Sequence, residues 1–305
     1  MVLVDALLIG VAVVGLWVGA DQFVAGAART ARRLGVPGLV VGLTVVAFGT
    51  SAPEFVVTVD AALVGRADVS VANVVGSNVL NLGFILGGVA LVQALATTRT
   101  LVRRDATLLV GSTALLLGFV ADGRLGRIEG AVLFASLLAY LGYLVRAGNG
   151  GSAADGEGSF HWPDIGRLVG GLAVVIGAGH LLVASAVDIA GSVGVSEWVI
   201  GLTVVAAGTS LPEFATSLAA ARRGRTGIST GNLLGSCIFN VLGVLGLAAV
   251  VRPLPVGSSG VEGTAWLLGT VVLVAVVAHT ESVVSRVEGA LLVALNAANW
   301  LLNLA

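Results

Sequence analysis

The chain has 305 residues, of which 57% are hydrophobic and 11% charged; its net charge is −1 and its mean hydropathy +1.03. That composition excludes an ordinary soluble domain, which needs far more polar surface to cover its core. The near-neutral charge and lack of a dense basic patch exclude a nucleic-acid partner, and a single cysteine, Cys237, excludes an internal disulfide or a multi-cysteine metal site.

Apolar runs near 20 residues recur from end to end, each long enough to cross the hydrocarbon layer as a helix. Ten spans are predicted, at about 2–20, 38–63, 70–95, 105–121, 126–146, 164–186, 197–221, 229–251, 264–279 and 286–304. The first begins without a basic leader or a clear cleavage site and reads as a retained membrane helix. The second carries "AFGTSAPEF", Ala47–Phe55, which sets a glutamate and a proline in an otherwise apolar run. Between the fifth and sixth lies the one long polar stretch, Arg146–Asp164, whose Gly/Ser/Asp composition reads as a flexible linker.

The seventh and eighth spans repeat the second and third. Residues 42–87 align without a gap onto 201–246 at an offset of 159, and 23 of the 46 positions are identical. The match runs through Gly, Thr, Ser, Pro, Glu and Asn, so it is a duplication and not shared apolar composition. The expected organisation is a first five-helix repeat at 1–146, a linker at 147–163 and a second repeat at 164–305. Five is odd, so the second copy enters the membrane from the opposite side; the expected fold is an all-α polytopic membrane protein of ten helices in two inverted repeats, with its site at the midplane. Loops after the odd-numbered spans hold 12 of the 16 arginines, including Arg29, Arg32, Arg33 and Arg222, and the other side holds 4. The positive-inside rule then places the linker in the cytoplasm and both termini outside.

Within the repeats, Ala47, Thr50, Ser51 and Glu54 fall at helical spacings of three and four, as do Asn73, Ser77 and Asn81. The copies are Ala206, Thr209, Ser210 and Glu213, with Asn232, Ser236 and Asn240. Pro53 and Pro212 cannot donate to the carbonyls of Gly49 and Gly208, so both helices should kink and turn carbonyls toward a pocket. Two carboxylates with hydroxyls, amides and carbonyls make a hard-oxygen site suited to Ca2+, Na+ or Mg2+. Intramembrane carboxylates are costly and usually functional.

"GTSAPE" with "GSNVLN", and "GTSLPE" with "GSCIFN", resemble the two alpha repeats of the sodium/calcium exchangers of the cation/calcium antiporter superfamily, prokaryotic type. The resemblance implies alternating-access antiport of Na+ against Ca2+, with no cofactor and no obligate protein partner. It implies that Glu54 and Glu213 are central carboxylates shared by both ions, and that Thr50 and Thr209 give carbonyls to Ca2+. Ser51, Ser77, Ser210 and Ser236, with the carbonyls of Ala47 and Ala206, would build flanking Na+ sites, and Asn81 and Asn240 would close the centre. Archaeal and potassium-dependent relatives often carry aspartate where Asn240 stands. Asn240 removes a titratable group and a possible K+ determinant, which favours plain Na+/Ca2+ exchange over K+- or H+-coupled exchange.

Other polar residues are read more plainly. Asp60 is expected at an interface, Asn73 and Asn232 as caps, helix–helix bonds or ion contacts, and His180 in satisfied packing; His161 and His279 lie at boundaries. An intramembrane hydrolase using Ser51 or Ser210 lacks a histidine or lysine base within the repeats. A passive channel fits inverted, broken helices less well than a transporter does.

Overall fold

A computed structural model describes residues 2–33, 35–148, 161–192, 206–280 and 283–304. The described residues are almost wholly helical, with four two-residue strands at loop ends. Among the described residues, six helices are long and apolar enough to cross a membrane: Leu3–Arg33, Val69–Val92, Arg127–Leu144, Trp162–Ile189, Thr226–Val251 and Ser258–His279. The pair Gly38–Thr50 and Ala52–Leu63, bent by 51° at the break, makes a seventh if taken as one span. Helix also fills 101–120, 211–222 and 286–304. Of the expected 197–221 span, 197–205 lies outside the described residues, as does 149–160 of the expected linker.

The first helix runs to Arg33, well past the expected end near residue 20. Arg29, Arg32 and Arg33 therefore stand on its last turns and not in a loop. The cause is at the other end of the linker, where Asp164 sits in the first turn of the Trp162–Ser192 helix and is buried. Its carboxylate takes Arg29 Nε at 2.7 Å and Arg33 Nε at 3.0 Å, with Arg167 Nη1 at 3.6 Å. A charge in a segment expected to be a linker instead ties two long helices together. Along the rest of their length glycines let the backbones touch: a Cβ on Gly171 would stand 2.4 Å from the Phe23 nitrogen, and one on Gly19 3.0 Å from that of Val175. His180 is exposed on the Trp162–Ser192 helix, which corrects the expectation of a packing role.

Among the described residues, several contacts recur at the repeat's offset. Strand β1 (Leu95–Ala96) pairs antiparallel with β4 (Val283–Val284), and β2 (Arg124–Leu125) pairs the same way with β3 (Leu254–Pro255). Adding 159 to one pair gives the other. Gly87 packs on the Gly289 carbonyl, with room for no Cβ, and Gly246 meets the Gly130 carbonyl likewise. Glu129 caps the Gly126 N–H, and Glu288 caps that of Ser285 at 2.7 Å. Helices 52–63 and 211–222 end alike too, on the left-handed glycines Gly65 (φ 82°) and Gly224 (φ 69°). Contacts at the shared offset thus reach the 127–148 and 286–304 helices, beyond the 46-residue match.

The main apolar core joins the 67–92, 226–251 and 258–280 helices, with Leu82, Leu86, Leu233, Val241 and Leu267 fully buried. The outer face of the first helix carries the opposite pattern: Val11 is 61% exposed and Val14 62%. Large apolar side chains facing outward as well as inward mark a molecule built for lipid.

Candidate ion-binding site

The two broken helices set the frame. The first breaks at Ser51 (φ −81°, ψ 10°), with Pro53 in the opening turn of Ala52–Leu63. The second breaks at Ser210 (φ −91°, ψ 5°), with Pro212 opening Leu211–Arg222. Each proline lacks the N–H that would continue the ladder, so a new helix starts there. Glu54 and Glu213 consequently sit in the first turn of a helix, where exposed N–H dipoles favour negative charge. Both glutamates are fully buried.

Each carboxylate is held by the other half. Ser51 Oγ donates to Glu213 Oε1 at 2.8 Å, and Ser210 Oγ donates to Glu54 Oε1 at 3.3 Å. Ser236 Oγ also donates to Glu213 Oε1 at 3.3 Å. The second oxygen of each glutamate, Oε2, is buried and has no hydrogen-bond partner. Two buried carboxylate oxygens without donors create a demand for positive charge that only a cation or a proton can meet.

Behind the glutamates stand two asparagines. Asn73 Nδ2 donates to the Glu54 carbonyl at 3.3 Å and to Thr58 Oγ1 at 2.9 Å. Asn232 Nδ2 donates to the Glu213 carbonyl at 3.4 Å and to Ser217 Oγ at 2.9 Å. Of the readings open for this pair, helix–helix hydrogen bonding is what the geometry displays. Thr50 Oγ1 lies 3.1 Å from Asn232 Oδ1, and also near the carbonyls of Val46 and Ala47. The Ala47 carbonyl already accepts the Ser51 N–H at 3.0 Å, which leaves it one lone pair.

Thr50, Ser51, Ser77, Asn81, Ser210, Ser236, Asn240 and the two glutamates are all buried, whereas Thr209 is half-buried. Ala47 is buried beside them; of Ala206 the backbone is described, as the first residue of a short helix. Asn81 and Asn240 lie where the 67–92 and 226–251 helices widen into π-helical turns, Leu80–Ile85 and Phe239–Leu245. Such widened turns concentrate at functional positions. No hydrogen bond of ordinary length and angle reaches either amide atom of Asn81 or Asn240 Oδ1, though the Cys237 thiol touches the Asn81 side chain. Asp60 is exposed at the far end of its helix, away from the glutamates.

Sequence reasoning missed Asn78 and gave Cys237 no role. Asn78 Nδ2 donates to the Cys237 carbonyl at 3.1 Å, and the Cys237 thiol lies 4.0 Å from the Asn78 carbonyl. These positions are also 159 apart, so the chain's two halves meet at this pair. The signal available was "GSN" against "GSC": the repeats differ between an invariant Ser and the paired asparagines.

Among the described residues no three His, Cys, Asp or Glu side chains cluster. The donor set is two carboxylates with hydroxyls, amides and carbonyls, which discriminates against soft metals.

Comparison with known proteins agrees on one family. The family model described as "Sodium/calcium exchanger protein" matches residues 4–146 and 164–303. The sodium/calcium exchanger MaX1 of Methanosarcina acetivorans is 30% identical over 300 residues, covering 84% of this chain and 85% of that protein. The inner membrane protein YrbG of Escherichia coli is 35% identical over 268 residues, covering 83% and 81%. A structure of the sodium-calcium exchanger NCX_Mj, soaked with Na+ and Sr2+, superposes with a TM-score of 0.88 at 31% identity, covering 98% of both chains.

Proposed function

We propose that this chain, which belongs to the sodium/calcium exchanger protein family, is a secondary active antiporter that exchanges Na+ for Ca2+ by alternating access. The family is one of multi-pass membrane transporters and not of enzymes. The observation that carries the ion assignment is the reciprocal Ser51–Glu213 and Ser210–Glu54 pair, with a bare buried oxygen on each glutamate. Two carboxylates balance one divalent charge, and the same carboxylates serve Na+ ions taken up in its place.

The proposed ligands of Ca2+ are Glu54 and Glu213 with the carbonyls of Thr50 and Thr209. Flanking Na+ sites would use Ser51, Ser77, Ser210 and Ser236 with the carbonyls of Ala47 and Ala206, and Asn81 and Asn240 close the centre. No resident cofactor is needed, since the ions are the cargo. Asn240 in place of a carboxylate favours Na+ over H+ or K+ as the coupling ion.

The proposed architecture is ten spans in two inverted five-helix repeats, 1–146 and 164–305, joined by 147–163. The strand pairs support that path. Pairing β1 with β4 puts the loops after the third and ninth spans together, and pairing β2 with β3 does so for the fourth and eighth. A chain crossing at every span would do the same. The arginine count favours termini outside and the linker in the cytoplasm.

The test is Ca2+ uptake into proteoliposomes under outward gradients of Na+, K+ and H+ in turn. The expected result is uptake driven by Na+ alone. Uptake that follows the pH gradient and ignores Na+ replaces this reading with Ca2+/H+ antiport, and a steady conductance replaces it with a channel.

A further inference from the structure

We infer that Asn78 is a positioning residue that fixes Asn240 as an oxygen donor to the bound cation; this rests on reading the buried pocket as the ion site. The geometry assigns the amide orientations without ambiguity. A backbone carbonyl only accepts, so the Asn78 atom 3.1 Å from the Cys237 carbonyl is its nitrogen. That leaves Asn78 Oδ1, an acceptor, 3.1 Å from the amide of Asn240, so the Asn240 atom there is its nitrogen. The other branch of the Asn240 carboxamide is then the oxygen, and this is the atom found buried and unpartnered. Turned over, Asn240 would set two N–H groups where that oxygen stands and would repel a cation. Asn78 prevents the turn.

The second half of the frame lacks this device. Asn81 is the copy of Asn240, and the residue placed to orient it is the copy of Asn78, Cys237. A thiol is a weak hydrogen-bonding group: the Cys237 thiol touches the Asn81 amide, but neither amide atom, both buried, has a hydrogen bond of ordinary length and angle. The pocket therefore holds one amide aimed by a strong hydrogen bond and one held only by a weak thiol contact. The aimed oxygen adds a neutral ligand to the two carboxylates and contributes to cation affinity without adding charge.

The experiment measures the Ca2+ dissociation constant of the purified full-length protein by calorimetry, with Na+-driven uptake in parallel. Asn78→Leu preserves volume and removes the acceptor; Ca2+ affinity should fall about tenfold, the scale of one hydrogen bond to a charged group, while the maximal transport rate stays within about twofold. In an Asn240→Asp background both branches are oxygen, so Asn78→Leu should change the dissociation constant by less than about twofold, a non-additivity that a merely structural role would not produce. An equal loss of affinity in both backgrounds, or no loss in the wild-type background, overturns the inference. Should Asn78→Leu fail to accumulate, Asn78→Ser, whose hydroxyl is too short to reach Asn240, gives the same readout. Ca2+ binding without Na+-driven uptake would overturn the exchanger reading while leaving this test intact; no Ca2+ binding at all overturns both.

Discussion

The two copies of the 46-residue repeat spend their identity in different places. Glutamate, serine, proline and the paired asparagines are held constant, and the reciprocal serine–carboxylate bonds tie each copy to the other. The supports are not held constant. Glu213 accepts from two hydroxyls and Glu54 from one; Thr50 is fully buried and Thr209 only partly; Asn78 faces a cysteine. Where the proposed site would share a divalent charge, the halves match. Where only the stiffness of the support is at issue, they have drifted, and the first copy's elements lock the second more tightly than the reverse.

The largest expected effect tests the matched part. Glu54→Gln and Glu213→Gln each keep an acceptor for the partner serine and remove one charge. Each should reduce Ca2+ uptake by at least about 100-fold, because the remaining carboxylate cannot balance a divalent ion in a buried site. Uptake by either variant above a tenth of normal would mean the carboxylates are not equal partners.

The next effect tests the drifted part. Asn232 bonds Ser217 and the Glu213 carbonyl, and it is fully buried. Asn73 makes the same two bonds within its own half and is half-buried. Asn232→Ala should therefore cost about 3 kcal/mol and Asn73→Ala about 1–2 kcal/mol, on the scale of buried polar groups left unsatisfied. Thermal melting in detergent separates them; equal shifts would show that the deeper burial of Asn232 adds nothing.

Much of this could be read before any coordinates. The duplication, the carboxylates and the prolines stand in the sequence as identities at a fixed offset, because the chemistry at those positions tolerates few residue types. The continuation of the relation to Gly126/Ser285 and Glu129/Glu288 was illegible as identity, since a cap needs only a backbone N–H and a carboxylate three residues on. The first helix's true end was hidden by charge. Arg29, Arg32 and Arg33 read as a loop until Asp164 supplied their partner from across the linker, and no local rule pairs residues so distant. The orientation of Asn240 was illegible because it is set by an amide that differs between the copies and by a backbone carbonyl, which carries no sequence signal.

The smallest expected effect concerns a contact that one half has and the other cannot form. On the first helix, Asp21 pairs with Arg223 and Trp17 lies under Arg222, whose guanidinium is 4.7 Å from the ring centre. The positions related by 159 are His180, Ile176, Val64 and Leu63, which can make neither contact. The two arginines belong to the end of the helix that carries Glu213, so the contact bridges the site-bearing frame and the pair of long helices beside it. The ion pair is part-exposed, at 40% and 34%, so its own strength is at most about 1 kcal/mol. On the proposed inverted-repeat, alternating-access architecture, a contact present on one side only biases the equilibrium by its own differential energy and no more. Asp21→Asn should thus shift the melting temperature little. It should change the ratio of exchange rates measured in right-side-out and inside-out vesicles by about two- to fivefold, the equivalent of under 1 kcal/mol. An unchanged ratio would make the pair a surface contact without consequence, and a change in both directions equally would place its effect on the barrier rather than on the balance between the two states.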